Sequence, residues 1–250
     1  MIIHGDCLDI MPTLEDKSID MILCDLPYGA TACHWDSIIP FEPLWKQYKR
    51  LIKDNGAIVL TASQPFTSAL VMSNPTMFKY EWIWEKEQGS MPMNAPFQPI
   101  KNHEQILIFA KAAATYSKRG TMNYNPLKTV GVPYKASQRK SGNISFHSDP
   151  SGDHFLDNIG TRYPKSVLRI VTERGLHPTQ KPVALFEYLI RTYTNEGDTV
   201  LDNCAGSFTT AIACMNTNRK YICIEKEEKY FEIGKNRINN HQPLFQRAQL

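Results

Sequence analysis

Apolar positions along this chain follow two different periods. Residues 19–24, 57–62, 80–85, 104–109, 198–201 and 221–224 are short runs with the length and composition of strands, and 1–4 adds another. Between them, apolar residues recur at helical spacing. In 41–53 these are Leu44, Tyr48, Leu51 and Ile52, with Pro43 near the start and Asp54-Asn55-Gly56 as the stop. In 183–193 they are Ala184, Leu185, Tyr188 and Leu189. Shorter helices are predicted at 65–72, from Phe208 to Met215, and at 229–239. Strands alternating with helices predict an α/β fold with a doubly wound sheet.

Three stretches break this rhythm. Residues 30–39 have neither period and read as a loop. Cys33 and His34 are neighbours there, and adjacent residues on an irregular loop rarely form a nucleophile–base pair. Residues 88–103 are rich in Met, Pro and Asn, a long loop of the kind that carries function. Residues 111–166 mix basic residues with Tyr116, Tyr124, Tyr134, Phe146, Phe155 and Tyr163, and Asn123-Tyr124-Asn125-Pro126 reads as a turn. The chain therefore divides into 1–110, a basic insert at 111–166, and 167–250.

Charge sharpens this division. The whole chain carries only +3, but 111–170 holds ten Lys/Arg against three Asp, a net +7 that leaves the rest at −4. A basic block in a mildly acidic protein points to a polyanionic partner. Hydrophobic residues make up 42% and charged residues 21%, a globular composition. No apolar run reaches eighteen residues, and the N-terminus lacks the basic-then-apolar order of a leader. The six cysteines form no Cys-x-x-Cys pair, so reduced thiols and a cytoplasmic setting are expected. His147, Asp149, Asp153 and His154 surround a Pro-Ser-Gly turn and read as polar side chains facing solvent, so no metal site is expected.

The candidate chemistry begins at Asp25-Leu26-Pro27-Tyr28-Gly29, directly after the strand at 19–24. Ligands bind at the carboxyl ends of strands in such sheets. Pro27 holds Leu26 extended, so that its carbonyl can face the site beside the Asp25 carboxylate. Two acceptors and an aromatic face suit a planar ring bearing an exocyclic amine. A second constellation lies at Asp202-Asn203-Cys204-Ala205-Gly206-Ser207-Phe208, a strand–turn–helix unit of nucleotide-binding type. The next strand ends in Glu225, nineteen residues beyond Gly206, the spacing of an acid that bonds ribose hydroxyls.

Together with His177-Pro178-Thr179-Gln180-Lys181-Pro182, these motifs resemble the beta class of DNA amino-methyltransferases, in which the catalytic motif precedes target recognition and the cofactor motifs come last. The resemblance covers nearly all of the chain except 111–166 and is nearest to short adenine-specific enzymes of bacteria and phages. It implies a seven-stranded sheet in the order 3-2-1-4-5-7-6, parallel except for strand 7, with strand 1 at 199–202, strand 2 at 221–224, strand 3 at 1–4 and strand 4 at 20–24. It implies S-adenosylmethionine as cofactor and transfer of its methyl group to N6 of a flipped-out adenine. Asp25, Leu26, Pro27 and Tyr28 would be catalytic. Asp6, Cys7, Thr179, Lys181, Asp202, Cys204, Gly206, Ser207, Thr209, Glu225 and Lys226 would hold the cofactor, with Asp6 and Cys7 near its adenine, Glu225 on the ribose and Lys181 on the methionine carboxylate. Trp35, Lys118, Arg119, Arg139 and Lys140 would touch double-stranded DNA. Implied partners beyond DNA are a second copy of the chain and a cognate restriction enzyme.

The pattern departs from the family at two points. Phe208 stands where the glycine loop usually has a second Gly, and Asn203-Cys204 replaces the usual Pro-Phe. The expectation is that the Phe208 ring faces the cofactor and narrows the methionine end of its pocket; the other reading packs it under the following helix. Cytosine-N4 methylation, and a DNA-binding homologue without catalysis, are the competing functions.

Overall fold

The computed structural model describes residues 1–29, 36–90, 92–118, 120–137, 155–173, 175 and 180–241. Its elements are β1 (Ile2–His4), α1 (Cys7–Ile10), β2 (Ile19–Asp25), α2 (Phe41–Leu51), β3 (Ile52–Ala62), α3 (Phe66–Ser73), β4 (Phe78–Ser90), β5 (Lys101–Ala110), β6 (Thr129–Val130), β7 (Tyr134–Ser137), β8 (Phe155–Asn158), β9 (Thr161–Arg162), β10 (Val167–Arg169), α4 (Val183–Tyr193), β11 (Thr199–Asp202), α5 (Thr209–Asn216), β12 (Lys220–Glu225) and α6 (Glu228–Asn239). No helix among the described residues is long and apolar enough to cross a membrane.

The main sheet has eight strands in the order β1-β12-β11-β2-β3-β5-β4-β10. The seven expected strands keep their expected order, and β10 adds an eighth at the edge, parallel to β4. β5 runs antiparallel to both of its neighbours. β2 lies at the centre, which explains its unbroken apolar run: a strand covered on both faces has no reason to alternate. Ile22 and Cys24 join the layer under α2 and α3, while Met21 and Leu23 join the layer under α4 and α5. Each such side chain, fully removed from water, contributes roughly 1.5–3 kcal/mol.

This topology positions the site. β1, β12, β11 and β2 are mutually parallel, so His4, Glu225, Asp202 and Asp25 all end at one rim. Register carries the rim across the sheet: Asp25 faces Thr61 on β3, and Glu104 of β5 faces Trp84 of β4.

The elements differ in places from the sequence reading. α2 stops at Leu51, because Ile52 already pairs with Ile19 as the start of β3. The Asp54-Asn55-Gly56 stop lies instead within β3, at a register shift against β2, where a Cβ on Gly56 would sit 2.6 Å from the Asp20 carbonyl. The buried face of α4 is Leu185, Phe186, Leu189, Ile190 and Tyr193; Ala184 is exposed. β4 and β5 reach well into 88–103 and leave only a short tip. The five described cysteines are free thiols.

The chain separates into two compact units, residues 1–125 with 166–250, and residues 126–165. Residues 111–125 thus belong to the larger unit: Met122 is buried, and the Asn125 amide donates to the Thr192 carbonyl at 2.7 Å. The smaller unit contains two antiparallel ladders, β6 with β9 and β7 with β8. Within it, the Arg162 guanidinium lies over the Tyr134 ring at 4.6 Å and the Lys128 ammonium over Tyr163 at 4.4 Å. The His147–His154 cluster lies outside the described residues.

Candidate active site

Asp25 ends β2, and three donors hold its carboxylate. The Tyr28 hydroxyl donates to Oδ1 at 2.7 Å, and the Thr61 hydroxyl donates to the same oxygen. The Lys181 ammonium donates to Oδ2 at 2.6 Å. Burial and the nearby Asp25 charge push the Tyr28 hydroxyl well above its ordinary pKa, so it stays protonated and can only donate to Asp25. Its ring stacks on Phe66, with centroids 5.2 Å apart and planes 24° apart. Leu26 is buried behind the turn. Gly29 turns the chain at φ +66°, and its amide donates to Asp36 Oδ1 at 2.9 Å.

Lys181 also lies 3.4 Å from Glu104 Oε2, and Glu104 pairs in turn with Lys86. Burial lowers the Lys181 pKa, but Asp25 and Glu104 outweigh it and the net shift is upward. Burial likewise raises Glu104, and Lys181 and Lys86 together bring it below its ordinary value. Two acids and two cations therefore form a balanced, largely buried cluster. Lys181, expected on a cofactor carboxylate, is engaged by two carboxylates of the protein and lines the cleft.

The second half of the site surrounds β11 and β12. Asp202 Oδ1 accepts from the Cys204 amide at 3.1 Å, and Oδ2 accepts from the Thr210 hydroxyl. Burial outweighs these bonds and pushes its carboxyl up to about 7. Glu225 accepts from the amides of Gly206 and Glu227 at 2.7 and 2.8 Å, and burial raises it too. Asp6 caps α1 through the Leu8 amide and pairs with Lys226 at 3.0 Å; these contacts outweigh its desolvation and lower it. Asn203 accepts a 2.5 Å bond from the Tyr48 hydroxyl, a structural use for one of the two unusual residues.

Phe208 corrects the sequence expectation. Its backbone has the left-handed φ of +60° that a glycine would adopt without penalty. Its ring is nevertheless fully buried, edge-on to Phe231 at 5.7 Å, and a Cβ on Gly234 would lie 2.6 Å from it. The side chain packs under α6 and leaves the pocket open.

One cleft of about 950 Å³, formed entirely by the larger unit, joins the two halves. Asp25, Leu26, Pro27 and Tyr28 line it, as do Asp6, Cys7, Lys181, Asp202, Cys204, Gly206, Ser207, Thr209, Glu225 and Lys226. Thr179, Trp35, Arg119, Arg139 and Lys140 lie outside the described residues. Lys118 is exposed and does not line the cleft. Sequence reasoning passed over Thr61, Lys86 and Glu104. The sequence signal for Glu104 was a charged residue just ahead of the apolar run 106–110.

A sequence model described as DNA methylase matches residues 19–236. DNA adenine methyltransferase YhdJ of Escherichia coli is 27% identical over 254 residues, which span 95% of this chain and 82% of YhdJ. Type II methyltransferase M1.MboII of Moraxella bovis is 29% identical over 248 residues, 90% of this chain and 91% of the relative. Among solved structures, the M1.HpyAVI–SAM complex superposes with a TM-score of 0.62 at 26% identity, covering 95% of this chain and 98% of the other.

Proposed function

Since this chain belongs to the DNA methylase family, we propose that it transfers a methyl group from S-adenosylmethionine to adenine N6 in DNA. The observation that carries this reading is the placement of Asp25 and Tyr28 in the same cleft as Asp202, Gly206 and Glu225. The donor set fits the cofactor. Asp202 and Glu225 are buried acids whose described side-chain partners are backbone amides, a hydroxyl and the Cys24 thiol, and a ligand bearing an ammonium and a ribose diol completes them. When bound, S-adenosylmethionine supplies an electrophilic methyl group.

The protein's task is to present the amine. The N6 lone pair of adenine is delocalised into the ring. Hydrogen bonds from N6–H to Asp25 and to the Leu26 carbonyl localise it, and the fixed turn supplies proximity. Lys181, itself held by Glu104, keeps the Asp25 carboxylate in position and balances its charge. Tyr28 acts twice, with its hydroxyl on Asp25 and its ring as a stacking face for the extruded base, worth about 1–3 kcal/mol.

The smaller unit, with Lys128, Lys135, Arg162 and Lys165 beside Tyr134 and Tyr163, is read as the DNA-recognition lobe. Lys118, Arg119, Arg139, Lys140 and Trp35 extend that contact in the same reading. Beta-class membership, a cytoplasmic setting, a homodimer and a cognate restriction enzyme are its finer parts; type II names among the relatives support the last. The test is incubation of unmethylated DNA with labelled cofactor, followed by digestion to nucleosides. Label in N6-methyl-2′-deoxyadenosine supports the reading. Label in N4-methylcytosine moves it to the cytosine alternative, and no label moves it to a binding protein without catalysis.

A further inference from the structure

The hairpin of β4 and β5 carries a feature that this chemistry leaves unused. Ser90 and Lys101 pair across its neck, and the Ser90 hydroxyl donates to the Lys101 carbonyl at 3.1 Å. Gly89 lets Ile100 cross that neck: a Cβ there would lie 2.0 Å from Ile100. Beyond it, a single 3-10 turn at Pro92–Asn94 is followed by bonds from the Phe97 and Gln98 amides to the Asn94 carbonyl at 2.9 and 3.0 Å. Pro92, Pro96 and Pro99 restrict the backbone further. The tip is thus closed on itself, yet Met93 and Phe97 are each 88% exposed.

Position and charge indicate what covers them. Gln88, Gly89 and Ser90 of the same strand line the cleft, so the tip continues the wall past which a target base must enter. Residues 88–103 contain no acid and one lysine, Lys101, so nothing in the tip repels phosphate. A duplex that gives up one base to the cleft leaves a gap one base high, and apolar side chains are what proteins insert between base steps.

We propose that Phe97, with Met93 beside it, is a wedge that enters the base stack at the place the target adenine leaves. The inference rests on the proposed function and extends it to how the open duplex is held. Ring stacking in the gap compensates the lost base stacking, so the wedge favours the extruded state and has no part in methyl transfer itself.

The test uses the full chain and duplexes carrying its methylated site, with the target adenine either matched or mispaired, and with 2-aminopurine at the target as a reporter of extrusion. Phe97→Ala with Met93→Ala should lower kcat/KM on the matched duplex roughly tenfold to a hundredfold, the size of one lost base–aromatic stack. The loss should be smaller on the mispaired duplex, which opens at less cost, and the 2-aminopurine signal should fall. Cofactor affinity and melting temperature should hold, and Phe97→Trp should retain activity. Activity within twofold of wild type on the matched duplex would overturn the proposal. So would equal losses on both duplexes, or a shift from dimer to monomer in sedimentation, which would assign the tip to a second copy of the chain. Wild type failing to methylate any DNA would instead remove the underlying function.

Discussion

The two ends of the cleft handle buried charge in opposite ways. At the Asp25 end the two central acids have cations: Asp25 and Glu104 share Lys181, and Glu104 also has Lys86. At the other end the described side-chain partners of Asp202 and Glu225 are amides, a hydroxyl and the Cys24 thiol, with no cation among them, and both are pushed upward by burial. A balanced cluster suits a neutral amine, which needs acceptors without a net field. Unbalanced acids suit a cationic ligand, which supplies the charge that the protein omits. In the proposed function, the difference suits one fold edge to two unlike molecules side by side.

The comparison breaks most severely at Lys181. Lys181→Met leaves Asp25 and Glu104 buried with one cation fewer, at a cost of about 3–5 kcal/mol, and it should also lower methyl transfer; chemical denaturation beside a transfer assay checks both. Phe208→Gly comes next. A lost buried aromatic costs roughly 3–5 kcal/mol, and relief of the left-handed backbone returns about 1–2, so the melting temperature should drop while calorimetry shows cofactor affinity unchanged. Tighter affinity with little stability loss would return the ring to the pocket.

Asp202→Asn sharpens the unbalanced end. A carboxyl raised from an unfolded value of 3.8 to about 7 favours the folded state fully below 3.8, and that advantage is lost as pH rises through about 7. Wild-type stability should therefore fall across pH 4–7 by an increment that Asp202→Asn lacks. The variant should melt no lower than wild type at pH 8, yet bind cofactor less well. A common pH slope in both proteins would contradict the raised carboxyl. Tyr28→Phe is the mildest change: it removes the hydroxyl on Asp25, worth about 1 kcal/mol, and keeps the ring. A several-fold fall in kcat with cofactor affinity intact is the expected result.

Local signals were legible in the sequence, and pairings across the fold were not. The apolar run ending at Asp25 and the acid nineteen residues past Gly206 are properties of one segment each, and they located both ends of the cleft. Lys181 and Asp25 are 156 positions apart, so only the assembled sheet rim shows that they pair. Phe208 kept the backbone a glycine would have, as its position suggested, but its side-chain direction depends on Gly234 opening a space in α6. Ile52 reads as the last turn of a helix until Ile19 is beside it. The strands of the smaller unit are two to four residues long and pair with partners far along the chain, so no period marks them.

The most direct measurement is modification-sensitive sequencing of DNA from cells expressing wild type or Asp25→Ala. Wild type should leave N6-methyladenine in one sequence context, and Asp25→Ala should reduce it by at least about a hundredfold, while the purified variant stays folded and still binds cofactor, at some loss of stability because Lys181 keeps only Glu104 as partner. Equal methylation by the variant, or no modified adenine from the wild type, would contradict the account.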